Sequence, residues 1–160
     1  MKFTEEVTPP RPKLDRAGIA EAVKELAEQL DIAPDDIAEH FRIHDDGYEL
    51  AKNLERHGYY DLDLNAANEL DSVSSIVREK EMELQKLWVK AYDVQPPLPN
   101  GAQILQGVID SVCDHEPATY RVKQTGCTQD GRYLLIKFEN AFLVDAAKPQ
   151  PDQPAQEGDK

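Results

Sequence analysis

An α+β chain is predicted, with an N-terminal helical bundle containing one long helix followed by a small antiparallel β unit. Three observations predict it. Across residues 64–92, Ala66, Leu70, Val73, Val77, Leu84, Leu87 and Ala91 recur at steps of four and three, which is the spacing of one helix face. Residues 95–101, QPPLPNG, then end that pattern abruptly, because proline cannot continue a helix. Beyond them the composition turns to short β-branched and aromatic runs bounded by turn residues, which read as strands.

In chain order, residues 1–13 carry Pro9, Pro10 and Pro12 and are expected to be a flexible arm. A helix is expected over residues 16–30, with Ile19, Val23, Leu26 and Leu30 on one face and Asp15 as its cap. Pro34 opens a short second helix with Ile37 and Phe41 on its apolar side, and Asp35 and Asp36 suit the positive end of its dipole. A third runs over residues 46–57, with Tyr48, Ala51 and Leu54 as its buried edge and Gly58 as its left-handed terminator. The long helix, about 40 Å if unbroken, completes a helical domain over residues 14–94. Its seam of Leu70, Val77, Leu84 and Leu87, widened by Ile76, Met82, Trp88 and Val89, is the expected protein-interaction surface. Three short helices leave part of that seam uncovered, so a homodimer through it is expected. Lys80 fills the one polar place in the seam, as register-setting residues do in paired helices.

Residues 95–101 are expected to be a proline-rich linker, residues 102–145 the β unit and residues 146–160 a disordered tail. In the β unit, residues 104–113 form one strand or two bent at Gly107, and residues 119–124 form another. Asp130-Gly131 is a hairpin turn leading into residues 133–138, and residues 141–144 close the set. Leu134, Ile136 and Phe138 alternate with Leu135 and Lys137, giving one packed face and one wet face. The glycine-bent strand, Tyr120-Arg121-Val122-Lys123, Asp130-Gly131-Arg132 and Lys137-Phe138-Glu139 resemble a small SH3-like barrel. Such barrels bind peptides in some families and nucleic acid in others.

The formal net charge is −13, from 31 Asp and Glu against 18 Lys and Arg. That balance repels phosphate backbones and anionic lipid, so direct nucleic-acid binding is disfavoured and proteins with basic surfaces are the expected partners. No apolar run reaches membrane-spanning length and residues 1–13 lack the apolar core of a signal peptide, so no membrane partner and a cytoplasmic location are expected. Two cysteines without an export signal, Cys113 and Cys127, suit reduced thiols.

Residues 25–41 pair two short helices and resemble a helix-turn-helix. A DNA-reading second helix would lie among phosphates, yet this one bears Asp35, Asp36 and Glu39, so it reads as a packing motif. Asp46-Gly47-Tyr48, the long helix, Gln95-Pro96-Pro97-Leu98-Pro99 and then Phe138, Glu139 and Ala141 resemble small acidic accessory proteins of temperate phages and prophages. The resemblance implies a phage or prophage origin and, in an infected cell, the host cytoplasm; it carries over no site.

Catalytic chemistry finds no support in the sequence. Nucleophile elbows, phosphate-binding loops and dinucleotide fingerprints are absent. His40 and His44 are four apart, but Phe41 stands where the zinc-protease pattern needs glutamate. Cys113, His115 and Cys127 would need His57 or Asp114 as a fourth zinc ligand, so neither metal nor cofactor is expected. The reading is therefore a non-catalytic acidic binding protein acting through protein contacts. Its acidic surface of Asp35, Asp36, Glu39, Asp45 and Asp46 suits inhibition of a host nucleic-acid-handling defence protein, in the manner of anti-restriction or anti-CRISPR proteins. The alternative is a nucleic-acid-associated regulator, using the helix pair or a basic patch of Arg121, Lys123, Arg132 and Lys137 on the β unit.

Overall fold

The structure, a computed structural model, describes residues 8–126 and 132–144. It divides into two compact units between Val94 and Gln95. The first unit is helical: α1 (Arg16–Ala22), α2 (Lys24–Leu30), α3 (Pro34–His40), α4 (Gly47–Gly58), α5 (Leu64–Leu70) and α6 (Val73–Ala91). Asp15, Asp46 and Asp63 each cap a helix by accepting a backbone N–H three residues on, at 2.8–2.9 Å. No helix among the described residues is long and apolar enough to cross a membrane.

The single helix expected over residues 16–30 is two segments that meet at Val23, whose backbone (φ −94°, ψ 5°) departs from helical values. The bonds from Val23 N–H to Ile19 and from Ala27 N–H to Val23 carry on through it, so the departure is local. α2 ends with Asp31 in the left-handed conformation. Ile32 N–H bonds back to Ala27 and Asp31 N–H to Glu28, a Schellman closure that buries Ile32 against the core.

The long helix is also divided. α5 stops at Leu70 and α6 starts at Val73, with Asp71 and Ser72 in a turn closed by three-residue bonds to Asn68 and Glu69. The cause is the approach of α4. A Cβ on Gly47 would lie 2.2 Å from Ala67 O and 2.4 Å from Asp71 N. Gly47 N–H donates to the Asp71 carboxylate at 3.0 Å, so the turn serves as a second cap for α4. The left-handed residue after α4 is Tyr59, not Gly58. Gly58 instead leaves room for the Tyr60 ring, whose edge a Cβ there would meet at 2.6 Å.

Tyr60 ties the first unit together. Its O–H donates to the Asp36 carboxylate at 2.5 Å and its oxygen accepts Ala33 N–H at 3.1 Å, at the start of α3. The core joins Val23, Ile37, Leu50, Leu54, Leu70 and Val73, each at most 2% exposed. Burying side chains of this size stabilises by about 1.5–3 kcal/mol each.

The second unit is an antiparallel meander, β1 (Gln103–Ile104), β2 (Gly107–Val112), β3 (Thr119–Lys123) and β4 (Tyr133–Lys137), paired in that order. A 3-10 turn (Phe138–Asn140) follows, and the chain then returns to the other edge of β1. There Leu143 bridges Ile104, Leu105 N–H donates to Phe142 and Val144 N–H donates to Gln103. Gly107 has φ +148° and a Cβ there would lie 2.1 Å from Lys123 O, which makes it obligatory at the bend. The expected Asp130-Gly131 turn, Cys127 and the tail over residues 146–160 lie outside the described residues.

The proline cluster expected to be a linker and the described part of the arm expected to be flexible are both held; residues 1–7 lie outside the described residues. Leu98, in the proline cluster, is gripped by the fully buried Tyr120, whose O–H donates to Leu98 O (2.9 Å) and accepts Leu98 N–H (2.7 Å). Gly101 N–H donates to Ile109 O at 2.7 Å, so the cluster is built into the β unit and is not a free linker. Residues 9–12 of the arm likewise bond to Gln85 and Trp88 of α6.

Both anchoring tyrosines have phenol pKa values raised above 10.0, Tyr60 chiefly because its O–H donates to Asp36 and Tyr120 chiefly by burial. A raised folded-state value means the protonated phenol is favoured in the fold. That contribution is complete below the ordinary tyrosine range and is lost as pH rises through the raised values. Denaturant midpoints measured from pH 8 to 11.5 should fall above pH 10. Tyr60→Phe and Tyr120→Phe should each flatten that fall.

Candidate functional site

The outer face of β2–β4 gathers the most chemically distinctive exposed set in the second unit. Alternation along β3 turns Tyr120 and Val122 inward, fully buried, and Arg121 and Lys123 outward. Register places Leu135 opposite Arg121, Tyr133 opposite Lys123 and Lys137 opposite Thr119. On the other side Val108 faces Lys123 and Ser111 faces Arg121, across a bulge at Asp110. Directly paired residues share a face, so Arg121, Lys123 and Lys137 stand together with Tyr133, Leu135 and Val108. Aspartate and glutamate are absent from these paired positions.

The Arg121 guanidinium lies 4.4 Å from the centroid of the diagonal Tyr133 ring. Such a contact at an exposed site is worth about 0.5–1 kcal/mol and fixes both side chains on the surface. Leu135 is 48% exposed between the cations. Arg132, the fourth basic residue, is exposed just before β4 and has no place in the ladder. Tyr133 and Val108 are the members that sequence reasoning missed. Period-two alternation carried the signal, but only the register joins the strands.

The expected interaction seam is split. Leu70 (1% exposed) and Val77 (5%) belong to the helical core, Leu84 and Trp88 are half-buried, and Leu87 is 66% exposed. The expected acidic surface is largely engaged within the fold. Asp36 accepts from Tyr60, Asp45 from the Asn53 amide at 3.4 Å and Asp46 from Glu49 N–H, while Glu39 pairs with Arg16 at 2.6 Å. Asp35 stands exposed in the first turn of α3, where its carbonyl accepts from Arg16. Exposed pairs such as Arg16–Glu39 add little to stability.

α3 ends at His40, so His40 and His44 share no helical face. His40 instead stacks on His57 of α4, ring centroids 5.3 Å apart and 19° from parallel. Cys113 is a buried free thiol and His115 is exposed. Among the described residues no three His, Cys, Asp or Glu side chains converge as a metal site would require.

No family model matches the chain, and no curated protein or solved structure matches it significantly.

Proposed function

We propose that this protein is a non-catalytic binding protein that acts through protein contacts, with the β unit as its binding module. One observation carries the reading: Tyr133, Leu135 and Val108 are presented on a single face among Arg121, Lys123 and Lys137. Exposed apolar and aromatic area framed by arginine and lysine is how protein-recognition surfaces are composed. The unit is read as an SH3-like barrel, supported by the Gly107 bend and by the return of residues 142–144 to β1.

The narrower reading is a phage accessory protein that blocks a basic, nucleic-acid-handling host protein in the cytoplasm. Its support is the net charge of −13; Asp35 is the carboxylate of the expected acidic set for which the fold shows least use. The homodimer now rests on Leu87 and the half-buried Leu84, a smaller surface than the full seam, because the arm covers Trp88. The second reading, nucleic-acid binding at the β face, is favoured by three cations beside a half-buried tyrosine, a composition related to that of base-stacking platforms.

One comparison tests these readings. The wild-type chain and a Leu135→Glu variant are immobilised and exposed to host lysate, with mobility shifts at low salt in parallel. Partners retained by the wild type and lost at least tenfold by the variant support the protein-binding reading. Equal retention by both places the contact elsewhere. Retardation of single-stranded nucleic acid at micromolar protein, reduced in Lys123→Glu, favours the second reading. Light scattering on the wild type and Leu87→Glu addresses assembly: a dimer mass that falls to a monomer mass in the variant supports the seam.

A further inference from the structure

The N-terminal arm lies on α6 through contacts that do not depend on its being part of the same chain. The Trp88 indole N–H donates to the carbonyl of Pro9 at 3.1 Å. One helical turn earlier, the Gln85 amide N–H donates to the carbonyl of Pro12 at 3.3 Å. Between them the Arg11 guanidinium donates to the Gln85 carbonyl oxygen at 3.0 Å and lies 5.5 Å from the Trp88 ring centroid. The arm therefore runs antiparallel to the helix. Carbonyls three residues apart meet donors three residues apart.

Gln85 makes the arrangement more than a cover over tryptophan. It is 8% exposed, the only buried polar side chain of the helical unit among the described residues, and the arm supplies two of its partners. Its amide also reaches Glu81 at 3.5 Å. A glutamine buried in this way is costly unless its hydrogen bonds are met. Each group it and Trp88 recognise is a peptide carbonyl or a guanidinium, which any arginine-bearing polyproline segment carries. An aromatic donor reading proline carbonyls, beside a polar group reading an arginine, is the chemistry of proline-rich peptide recognition.

We propose that the Glu81–Gln85–Trp88 face of α6 is a binding site for an arginine-bearing polyproline segment of a partner protein, and that residues 9–12 occupy it as an internal pseudo-ligand. The low conformational entropy of proline makes such a peptide cheap to order. The strongly acidic chain favours a cationic one. Only Lys13 and Leu14 separate the arm from the Asp15 cap of α1, so the arm competes at a millimolar effective concentration. Partner binding thus requires the arm to leave.

Trp88 is the chain's single tryptophan, so its emission reports the site directly. In full-length Arg11→Ala protein the emission should shift to the red. The synthetic peptide TPPRPKL should then reverse that shift saturably, with an apparent affinity at least about tenfold tighter than for the wild type. The same peptide with alanine in place of its arginine should bind at least tenfold more weakly. Gln85→Ala in the Arg11→Ala background should abolish the response while far-UV circular dichroism stays unchanged. No saturable change at millimolar peptide, or equal responses to both peptides, overturns the proposal. A wild-type dimer by light scattering that becomes monomeric in Arg11→Ala also overturns it, since the occupant would then be a second copy of this chain.

Discussion

Replacing Gly47 by alanine is expected to destabilise the helical unit by about 3 kcal/mol or more, the upper range for overpacking. The new Cβ would fall 2.2 Å from Ala67 O, 2.4 Å from Asp71 N and 2.8 Å from Asp71 Cα. All three are backbone atoms, so no rotamer change relieves the overlap. α4 would have to lift from the α5–α6 turn, and Gly47 N–H would lose the Asp71 carboxylate. Leu50 and Leu54, one and two turns further along α4, would lift with it. Urea denaturation followed by Trp88 fluorescence and far-UV circular dichroism measures the loss. Gly18→Ala is the control. Its Cβ meets chiefly the end of the Leu14 side chain, at 2.9 Å, and alanine adds up to about 1 kcal/mol of helix propensity. A Gly47→Ala protein as stable as Gly18→Ala would contradict the close approach of α4 to the turn.

Tyr120→Ala is expected to cost the β unit about 3–5 kcal/mol, the range for removing a fully buried aromatic ring. The ring packs on Phe138 with centroids 4.4 Å apart, and the hydroxyl holds both backbone groups of Leu98. Tyr120→Phe separates the two contributions. It keeps the ring but leaves the half-buried Leu98 backbone without its partner, at about 1–3 kcal/mol. Hydrogen exchange resolves them. Tyr120→Phe should release the Leu98 amide selectively, whereas Tyr120→Ala should release the β2–β3 amides as well. Unchanged protection at Leu98 in the Phe variant would show that the proline cluster is held by other contacts.

Apolar periodicity made most of the helical core legible in the sequence, and much of the fold follows from that. Ile37, Leu54, Leu70 and Val77 are buried where 3.6-residue periodicity places them, whereas Tyr48, expected on a buried edge, is 56% exposed and Leu134, expected on the packed face of its strand, is 38% exposed. The aspartate cap at Asp15 and the proline start of α3 were legible because those signals act within one turn of the chain. The bend at Gly107 was legible for the same reason.

Tertiary structure decided the rest, because each remaining feature is a contact between residues far apart in sequence. Periodicity cannot register a two-residue tightening at Asp71-Ser72, since the helix face continues across it; the division comes from Gly47, 24 residues away. Arg121, Lys123 and Lys137 became one face only through the β3–β4 register, and Tyr133 joined them by the same pairing. The proline cluster read as a linker and the arm as loose because neither carries a helix or strand pattern of its own. Tyr120 and the Gln85–Trp88 pair hold them through backbone groups, the Leu98 N–H and carbonyl and the Pro9 and Pro12 carbonyls, which leave no mark in the sequence.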